Sequence, residues 1–197
     1  MTELTSKPYT ETEIKIIEAS LNCFTRYGVR KASMNDVART AGVSRQTVYD
    51  LFAGKNGLIR ALIEFVTDQS LASIRATMAQ TSDLSDRLDG YFQATVIKSF
   101  ELLDGAEDLE EHIADYNEAG RDEIARAHRQ HEDLIVDMLL PYEAELAGHN
   151  TTPREQAHFL VSVTMTFKYT AQNREDLLGL LATLKLNLLS VVGQGTP

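Results

Sequence analysis

The sequence predicts an all-α protein. Almost every segment places its apolar residues at the i, i+3, i+4 spacing of an amphipathic helix, and none shows the two-residue alternation of a strand. Capping residues, glycines and prolines divide this pattern into successive helices, first three short ones and then longer ones. We therefore expect an N-terminal three-helix head joined to a larger helical body.

The first two helices carry start and stop signals. Thr10 followed by Glu13 forms a capping box, in which each side chain bonds the backbone N–H of the other residue, and Gly28 marks the end of this helix. A second box begins at Ser33, and Gly42 ends a shorter helix. Both helices are thus predicted from local signals alone.

The third helix follows at once, within "GVSRQTVYDLF". Ser44 is its predicted N-cap, with Val43 and Val48 placed as a hydrophobic staple. On a helical wheel, Val48, Leu51 and Phe52 share the side that faces the core. The polar side chains lie on the opposite side and its flanks, and are therefore predicted to point outward: Arg45, Gln46, Thr47, Tyr49 and Asp50.

Longer helices are predicted to follow. The first runs from Lys55 to Gln80, a loop covers Thr81 to Asp86, and another helix extends to Leu103. Gly120 is expected to divide the next helical stretch. Pro141 is expected to kink or end the helix after it, because proline lacks a backbone donor and clashes with the preceding turn.

The segment "GHNTTP" precedes two final helices. Thr152 as N-cap, Pro153 at the first helical position and Glu155 at the third form a complete start signal. The helices are predicted from Pro153 to Ala171 and from Arg174 to Val192.

Charge is distributed unevenly along the chain. The formal charge is −10, but residues 1–60 hold nine Lys and Arg residues against six Asp and Glu residues, so this part carries +3 and the rest carries −13. The net charge of −10 argues against indiscriminate coating of nucleic acid, but its uneven distribution places a small basic head on an acidic body. The lone Cys23 is expected to be a buried thiol. With neither an apolar run long enough to span a membrane nor a signal-peptide pattern, the chain is expected to be cytoplasmic, without a membrane partner.

Two short helices joined by a glycine turn match the helix-turn-helix pattern, whose second helix fits the major groove of DNA. The longer segment "FTRYGVRKASMNDVARTAGVSRQTVYDLFAGKNGLIRAL" resembles the tetracycline-repressor (TetR) family in the aromatic residue and glycine that end the first helix, in "DVA" and "AGVS", and in the T-V-Y core. The resemblance is close over residues 10–65 and extends beyond them only in length and helical layout. It implies a DNA-binding domain at residues 1–54 and an effector-binding and dimerisation domain at residues 55–197.

The resemblance also implies which side chains contact a DNA operator. Arginine and glutamine bond base edges in the major groove, whereas threonine and lysine more often hold phosphates. The free N–H groups at the start of the third helix favour a nearby phosphate. The candidate contacts are Asn35, Arg45, Gln46 and Tyr49 for bases, and Ser44, Thr47 and Lys55 for phosphates or the helix N-terminus.

Two residues depart from the family pattern. Leu51 stands where the family often has His or Tyr, which removes one polar contact. Asp50 places a negative charge near the DNA-facing side, where it could accept from a cytosine amino group or pair with a neighbouring cation.

For the body, the resemblance implies a small organic effector and a homodimer, which would read a pseudo-palindromic operator. The leucine-rich last helix supports dimerisation, because a helix this apolar needs cover on most sides, although burial within the monomer alone could explain the same pattern. The candidate dimer residues are Phe159, Val163, Leu177, Leu181, Leu184 and Leu188. The candidate effector-pocket residues, which as aromatic and Met residues at helical spacing could equally be core, are Tyr91, Phe92, Tyr116, Met138, Tyr142, Met165 and Tyr169.

Other functions compete with DNA binding. His112 with Asp115, and His128 with His131, stand at i, i+3 spacing that could place metal ligands on one helical face, so a metal-responsive regulator or a metal-dependent helical enzyme are alternatives. No catalytic triad, phosphate loop or HExxH pattern occurs, so neither catalysis nor a cofactor is expected. A purely protein-binding helical module would leave the basic head unexplained. We therefore expect a sequence-specific transcriptional regulator, a repressor that its effector releases from DNA.

Overall fold

The computed structural model describes residues 8–102, 113 and 118–193. All regular structure in these residues is helical, which confirms the predicted all-α fold. A π turn (Gln93–Ile97) joins α5 to α6, and a 3-10 turn (Leu140–Tyr142) joins α7 to α8. The helices are α1 (Glu11–Tyr27), α2 (Met34–Ala41), α3 (Arg45–Phe52), α4 (Lys55–Gln80), α5 (Leu84–Phe92), α6 (Lys98–Leu102), α7 (Glu118–Leu139), α8 (Glu143–Gly148), α9 (Pro153–Thr170) and α10 (Arg174–Val191).

The predicted capping boxes of α1 and α2 are both present. The Glu13 N–H donates to Thr10 Oγ1 at 3.3 Å, and the Thr10 N–H donates to Glu13 Oε2 at 2.7 Å. The pair Ser33 and Asp36 makes the same reciprocal bonds at 3.2 and 3.1 Å. Gly28 ends α1 with a φ of 75°, a region that favours glycine. These local signals fix where each helix begins and ends.

The described residues form two compact units. The first contains residues 8–68, 113 and 118–127, and the second contains residues 69–102 and 128–193. Helices α4 and α7 therefore contribute residues to both. The functional division at residue 54 stays a prediction. No helix in the described ranges is long and apolar enough to cross a membrane.

The core of the first unit is built by α1, α2, α3 and the start of α4. Complete burial of one large apolar side chain in such a core contributes about 1.5–3 kcal/mol to the stability of the fold. Cys23 is 2% exposed, so the expected buried thiol is confirmed. The apolar side chains with at most 2% exposure in this core include Ile16, Ile17, Phe24, Val29, Val37, Val48, Leu58 and Ile59.

The core of the second unit draws on α5, the π turn, α7, α9 and α10. Gly90 allows α4 and α5 to approach closely, because a Cβ atom there would lie 2.7 Å from the side chain of Thr77. The capping box of Thr152 with Glu155 is present, and Pro153 opens α9, as predicted. The fully buried members of this core include Leu84, Leu88, Tyr91, Val96, Ile135, Met138, Leu139 and Leu177.

Three predicted boundaries can be compared with the structure. The prediction for Gly120 is wrong, since α7 continues through it; an internal glycine costs only about 1 kcal/mol relative to alanine. The loop after α4 is shorter than predicted, because Asp83 caps α5 by accepting from the Asp86 N–H at 3.0 Å. The prediction for Pro141 is confirmed, as α7 ends at Leu139.

Candidate nucleic-acid interface

A tight turn sets α3 next to α2. Gly42 ends α2 in the left-handed conformation, with a φ of 69°, and the Val43 N–H donates to the carbonyl of Ala38 at 3.0 Å. Ser44 then caps α3 by accepting from the Thr47 N–H at 3.0 Å. The two helices thus form a helix-turn-helix with both ends of its turn held by hydrogen bonds.

The inner side of α3 anchors the helix in the core. Val48 is 0% exposed and Phe52 is 6% exposed. Leu51, in contrast, is 41% exposed, so the prediction that it faces the core is wrong. It lies on the flank of the helix, where the core formed by α1, α2 and α4 does not reach. The anchored side is therefore narrower than the wheel suggested.

The outward side of α3 is polar, as predicted. Arg45, Gln46, Tyr49 and Asp50 are all exposed. The guanidinium carbon of Arg45 lies 5.2 Å from the centre of the Tyr49 ring, and its Nη2 donates to the Tyr49 hydroxyl at 3.4 Å. This cation–π contact holds the arginine along the helix surface rather than free in solvent.

Gln46 and Asp50 form a second pair on the same face. Gln46 Nε2 donates to Asp50 Oδ1 at 2.7 Å, one helical turn away. The predicted pairing of Asp50 with a neighbouring cation is not what the described residues show. The Asp50 carboxylate accepts from the Gln46 amide instead.

The remaining predicted contacts occupy different positions. Asn35 is exposed in the first turn of α2. Thr47 is half-buried, and its hydroxyl lies 2.8 Å from that of Ser44, so these two side chains first serve the cap of α3. The structure therefore places Arg45, Gln46 and Tyr49 on one open face, with Ser44 and Thr47 at its N-terminal end.

Lys55 has internal contacts that its sequence position did not indicate. Its Nζ donates to the backbone carbonyls of Ala32 at 2.7 Å and Arg30 at 3.4 Å, and lies 5.9 Å from the centre of the Phe24 ring. Partial burial lowers the pKa of this ammonium group. Lys55 thus ties the start of α4 to the loop between α1 and α2, and its contact with a phosphate stays a prediction.

The sequence of this region matches a known family. The profile described as "Bacterial regulatory proteins, tetR family" matches residues 16–62, which include all of α2 and α3. Residues 16–62 therefore carry the sequence pattern of a tetR-family domain. The chain is 26% identical over 141 residues to the HTH-type transcriptional regulator TtgR of Pseudomonas putida. That alignment covers 70% of this chain and 65% of TtgR, so it spans just under two thirds of the relative's length.

Solved structures have the same fold over nearly the whole chain. A TetR transcriptional regulator from Legionella pneumophila gives a TM-score of 0.74 at 13% identity, covering 92% of this chain and 99% of its own. The fatty acid degradation regulator FadR from Bacillus halodurans gives 0.73 at 17% identity, covering 91% and 97%. At these identities the likeness shows that this chain shares their helical architecture.

The predicted effector-pocket residues separate into interior and surface groups. Tyr91, Phe92 and Met138 are buried in the core of the second unit, and Tyr142 and Met165 pack against that core. Tyr169 is 44% exposed, so the structure places it on the surface rather than in the interior. Tyr116 lies outside the described residues.

Polar groups accompany the buried aromatic side chains in this core. His131 is 6% exposed; its Nε2 lies 3.2 Å from the Ser70 hydroxyl, and its ring meets the Tyr91 ring edge to face, 5.9 Å between centres. Burial raises the pKa of the Tyr91 hydroxyl. The Thr95 hydroxyl donates to the Tyr91 carbonyl at 2.7 Å. The interior of the second unit is therefore not purely apolar.

The predicted dimer leucines pack within their own chain. Leu177, Leu181, Leu184 and Leu188 are 0–8% exposed and belong to the core of the second unit. Their 4, 3, 4 spacing marks the inner side of α10, since the same periodicity arises from packing within the chain. Leu184 also lines the groove described next, and the part of these leucines in a dimer stays a prediction.

A shallow apolar groove lies instead on the outer side of α9 and α10. Phe159, which is 54% exposed, and Val163 both line it, and both are predicted from the sequence to belong to a dimer surface. The groove has a volume of about 450 Å³. Its lining residues are Phe159, Val163, Phe167, Asp176, Gly179, Leu180, Thr183, Leu184 and Asn187. Phe159 and Val163, which lie outside the stripe formed by Leu177, Leu181, Leu184 and Leu188, are thus the predicted dimer residues that indicate this surface in the sequence.

The suggested metal ligands do not come together in the described part of the chain. There, no group of three or more His, Cys, Asp or Glu side chains could hold a metal ion. His112 and Asp115 lie outside the described residues. His131 is engaged with Ser70 and Tyr91.

Proposed function

We propose that this protein is a sequence-specific DNA-binding transcriptional regulator that acts in the cytoplasm as a repressor. The outward face of α3 carries the proposal: Arg45, Gln46 and Tyr49 are exposed there on a helix that Val48 and Phe52 anchor from behind. A helix of this kind enters the major groove of B-DNA, which is about 12 Å wide. The net charge of +3 over residues 1–60 favours approach to the phosphate backbone.

The side chains have different roles in this proposal. Arg45 can make two hydrogen bonds to guanine O6 and N7, and Gln46 can make two to adenine. Tyr49 lies beneath the Arg45 guanidinium and positions it. The start of α3 at Ser44 and Thr47 supplies N–H groups and hydroxyls for a phosphate. Asn35 reaches bases from α2.

We propose that the groove on α9 and α10 is covered by a second copy of the chain. Phe159, Val163, Phe167 and Leu180 line this groove, and Phe159 is 54% exposed there. A two-fold dimer presents two α3 helices to half-sites about one helical turn of DNA, or a multiple, apart. The operator is accordingly a pseudo-palindrome.

A small organic effector is proposed to bind in the body, among the helices of residues 85–148. The buried ring of Tyr91 and the side chain of Met138 supply apolar contact, and His131 and Thr95 supply polar groups. Helix α4 carries residues of both units, and it is proposed to couple effector binding in the body to the DNA-binding head. An effector that prefers the shifted state lowers DNA affinity by its differential affinity for the two states, typically about 1–3 kcal/mol.

Selection of binding sites from random duplex DNA tests the DNA-binding proposal. The wild-type chain is expected to enrich one sequence with dyad symmetry. Arg45→Ala is expected to weaken binding to it by about 1–3 kcal/mol and to relax the preference at one base pair. Arg75→Ala, which removes the same charge from an exposed position in the second unit, is the control and should leave the preference unchanged.

The proposal fails in either of two cases. The wild-type chain enriches no sequence, or Arg45→Ala and Arg75→Ala weaken binding equally and without change in base preference. A purely electrostatic interaction with DNA predicts the second result, because phosphate contacts carry no sequence information directly.

A further inference from the structure

We infer that Asp50 sets the base preference of Gln46, an inference that rests on the proposed DNA-binding function. The two side chains are exposed on the outward face of α3, one turn apart. The 2.7 Å bond from Gln46 Nε2 to Asp50 Oδ1 also fixes which way the amide points. A carboxylate only accepts hydrogen bonds, so it must face the nitrogen of the amide and not the oxygen.

The bond to Asp50 limits what Gln46 can offer to a base. A glutamine amide has two N–H donors and one carbonyl oxygen. With one N–H directed at Asp50, one donor and the oxygen remain. In the major groove adenine presents the N7 acceptor and the N6 amino donor, which match this remaining pair, whereas guanine presents two acceptors, N7 and O6. Gln46 held in this way reads adenine and cannot satisfy both acceptors of guanine.

The charge of Asp50 acts in the same direction. The bond from Gln46 leaves the carboxylate with its second oxygen, and Asp50 forms no ion pair in the described part of the chain. A negative group at the outward face of α3 is repelled by guanine O6 and N7 and attracted by the amino groups of adenine and cytosine. It is also repelled by phosphates, which lowers affinity for DNA of unrelated sequence. Asp50 is thus a specificity-determining residue through both hydrogen bonding and charge.

Site selection with four full-length proteins tests this inference: the wild type, Gln46→Ala, Asp50→Ala and Glu18→Ala. Glu18 is an exposed carboxylate on α1, so its removal changes the net charge by the same amount as Asp50→Ala. The base pair that Gln46 contacts is identified as the one at which Gln46→Ala loses the base preference of the wild type. At that base pair the wild type should favour adenine over guanine, and Asp50→Ala should reduce this ratio by about tenfold, the size of one base contact. Glu18→Ala should leave it unchanged.

Three results would overturn the inference. Asp50→Ala keeps the wild-type ratio of adenine to guanine, or it changes that ratio no more than Glu18→Ala does, or Gln46→Ala loses preference at no base pair. In each of these the wild type still enriches an operator, so the proposed function stands. A wild-type chain that enriches no sequence overturns the proposed function together with the inference. Thermal melting of each variant shows whether it is folded.

Discussion

Gly57 offers a direct test of how precisely α3 must be held. It lies in the first turn of α4, and a Cβ atom at this position would overlap the backbone carbonyl oxygen of Phe52, the last residue of α3. Real Cβ atoms essentially never lie within 3.0 Å of a non-bonded heavy atom from elsewhere in the chain, so Gly57→Ala must push the end of α3 away from α4. The obstacle is backbone, which cannot rotate aside as a flexible side chain can.

The size of the effect follows from two opposing contributions. Overpacking of this kind costs typically about 1–3 kcal/mol, and a backbone obstacle places it in the upper part of that range. Alanine in a helix recovers up to about 1 kcal/mol relative to glycine. The net loss of stability is therefore about 2 kcal/mol, which lowers the melting temperature of a chain of this size by about 4–8 °C. A displaced α3 also loses base contacts worth about 1–3 kcal/mol each, so operator affinity should fall at least tenfold.

Thermal unfolding followed by circular dichroism measures the first effect, and operator binding well below the melting temperature measures the second. Gly148→Ala is the matched control, because no atom lies within 4 Å of its added Cβ and its backbone is not in the left-handed region. It should melt within a degree or two of the wild type, given the modest propensity gain at a helix end. The reasoning is refuted if Gly57→Ala melts and binds DNA like the wild type.

Two further predictions concern the body. Phe159→Glu puts a carboxylate into the α9–α10 groove and should give a folded monomer in analytical sedimentation. The control Leu140→Glu changes a similarly exposed apolar position outside the groove and should stay dimeric. A dimeric Phe159→Glu protein would contradict the proposed interface. Once thermal-shift screening yields an organic effector, the effector should weaken operator binding by some factor, and operator DNA should weaken effector binding by the same factor. An effector affinity that operator DNA leaves unchanged would rule out the coupling.

The parts of the fold that depend on local chemistry could be predicted from the sequence. The boxes at Thr10, Ser33 and Thr152 and the stop at Gly42 involve residues within four positions of each other, so their geometry is independent of the rest of the chain. The same holds for the outward polar face of α3, which helical periodicity sets once the start at Ser44 is known.

Features that depend on packing partners could not be predicted in this way. The stripe from Leu177 to Leu188 has the spacing of either a dimer surface or an internal contact, and only the position of neighbouring helices shows that it is internal. Leu51 is 41% exposed because no helix within the described ranges covers its flank of α3. The contacts of Lys55 with the carbonyls of Arg30 and Ala32 join positions more than twenty residues apart, a distance at which periodicity carries no information.

The π turn after α5 holds one residue more than a regular helical turn would. It brings three consecutive residues, Thr95, Val96 and Ile97, into the buried interior, although successive residues of a regular α-helix are turned by about 100° and would spread around the helix. A π turn bonds each residue to the fifth along rather than the fourth, so it accommodates one residue more than an α-helical turn. Loss of that residue would restore a regular helix and leave α6 facing the same neighbours, because the π turn absorbs the extra residue locally. A relative of this protein one residue shorter here would therefore keep the apolar pattern of α6, with every later residue number lowered by one.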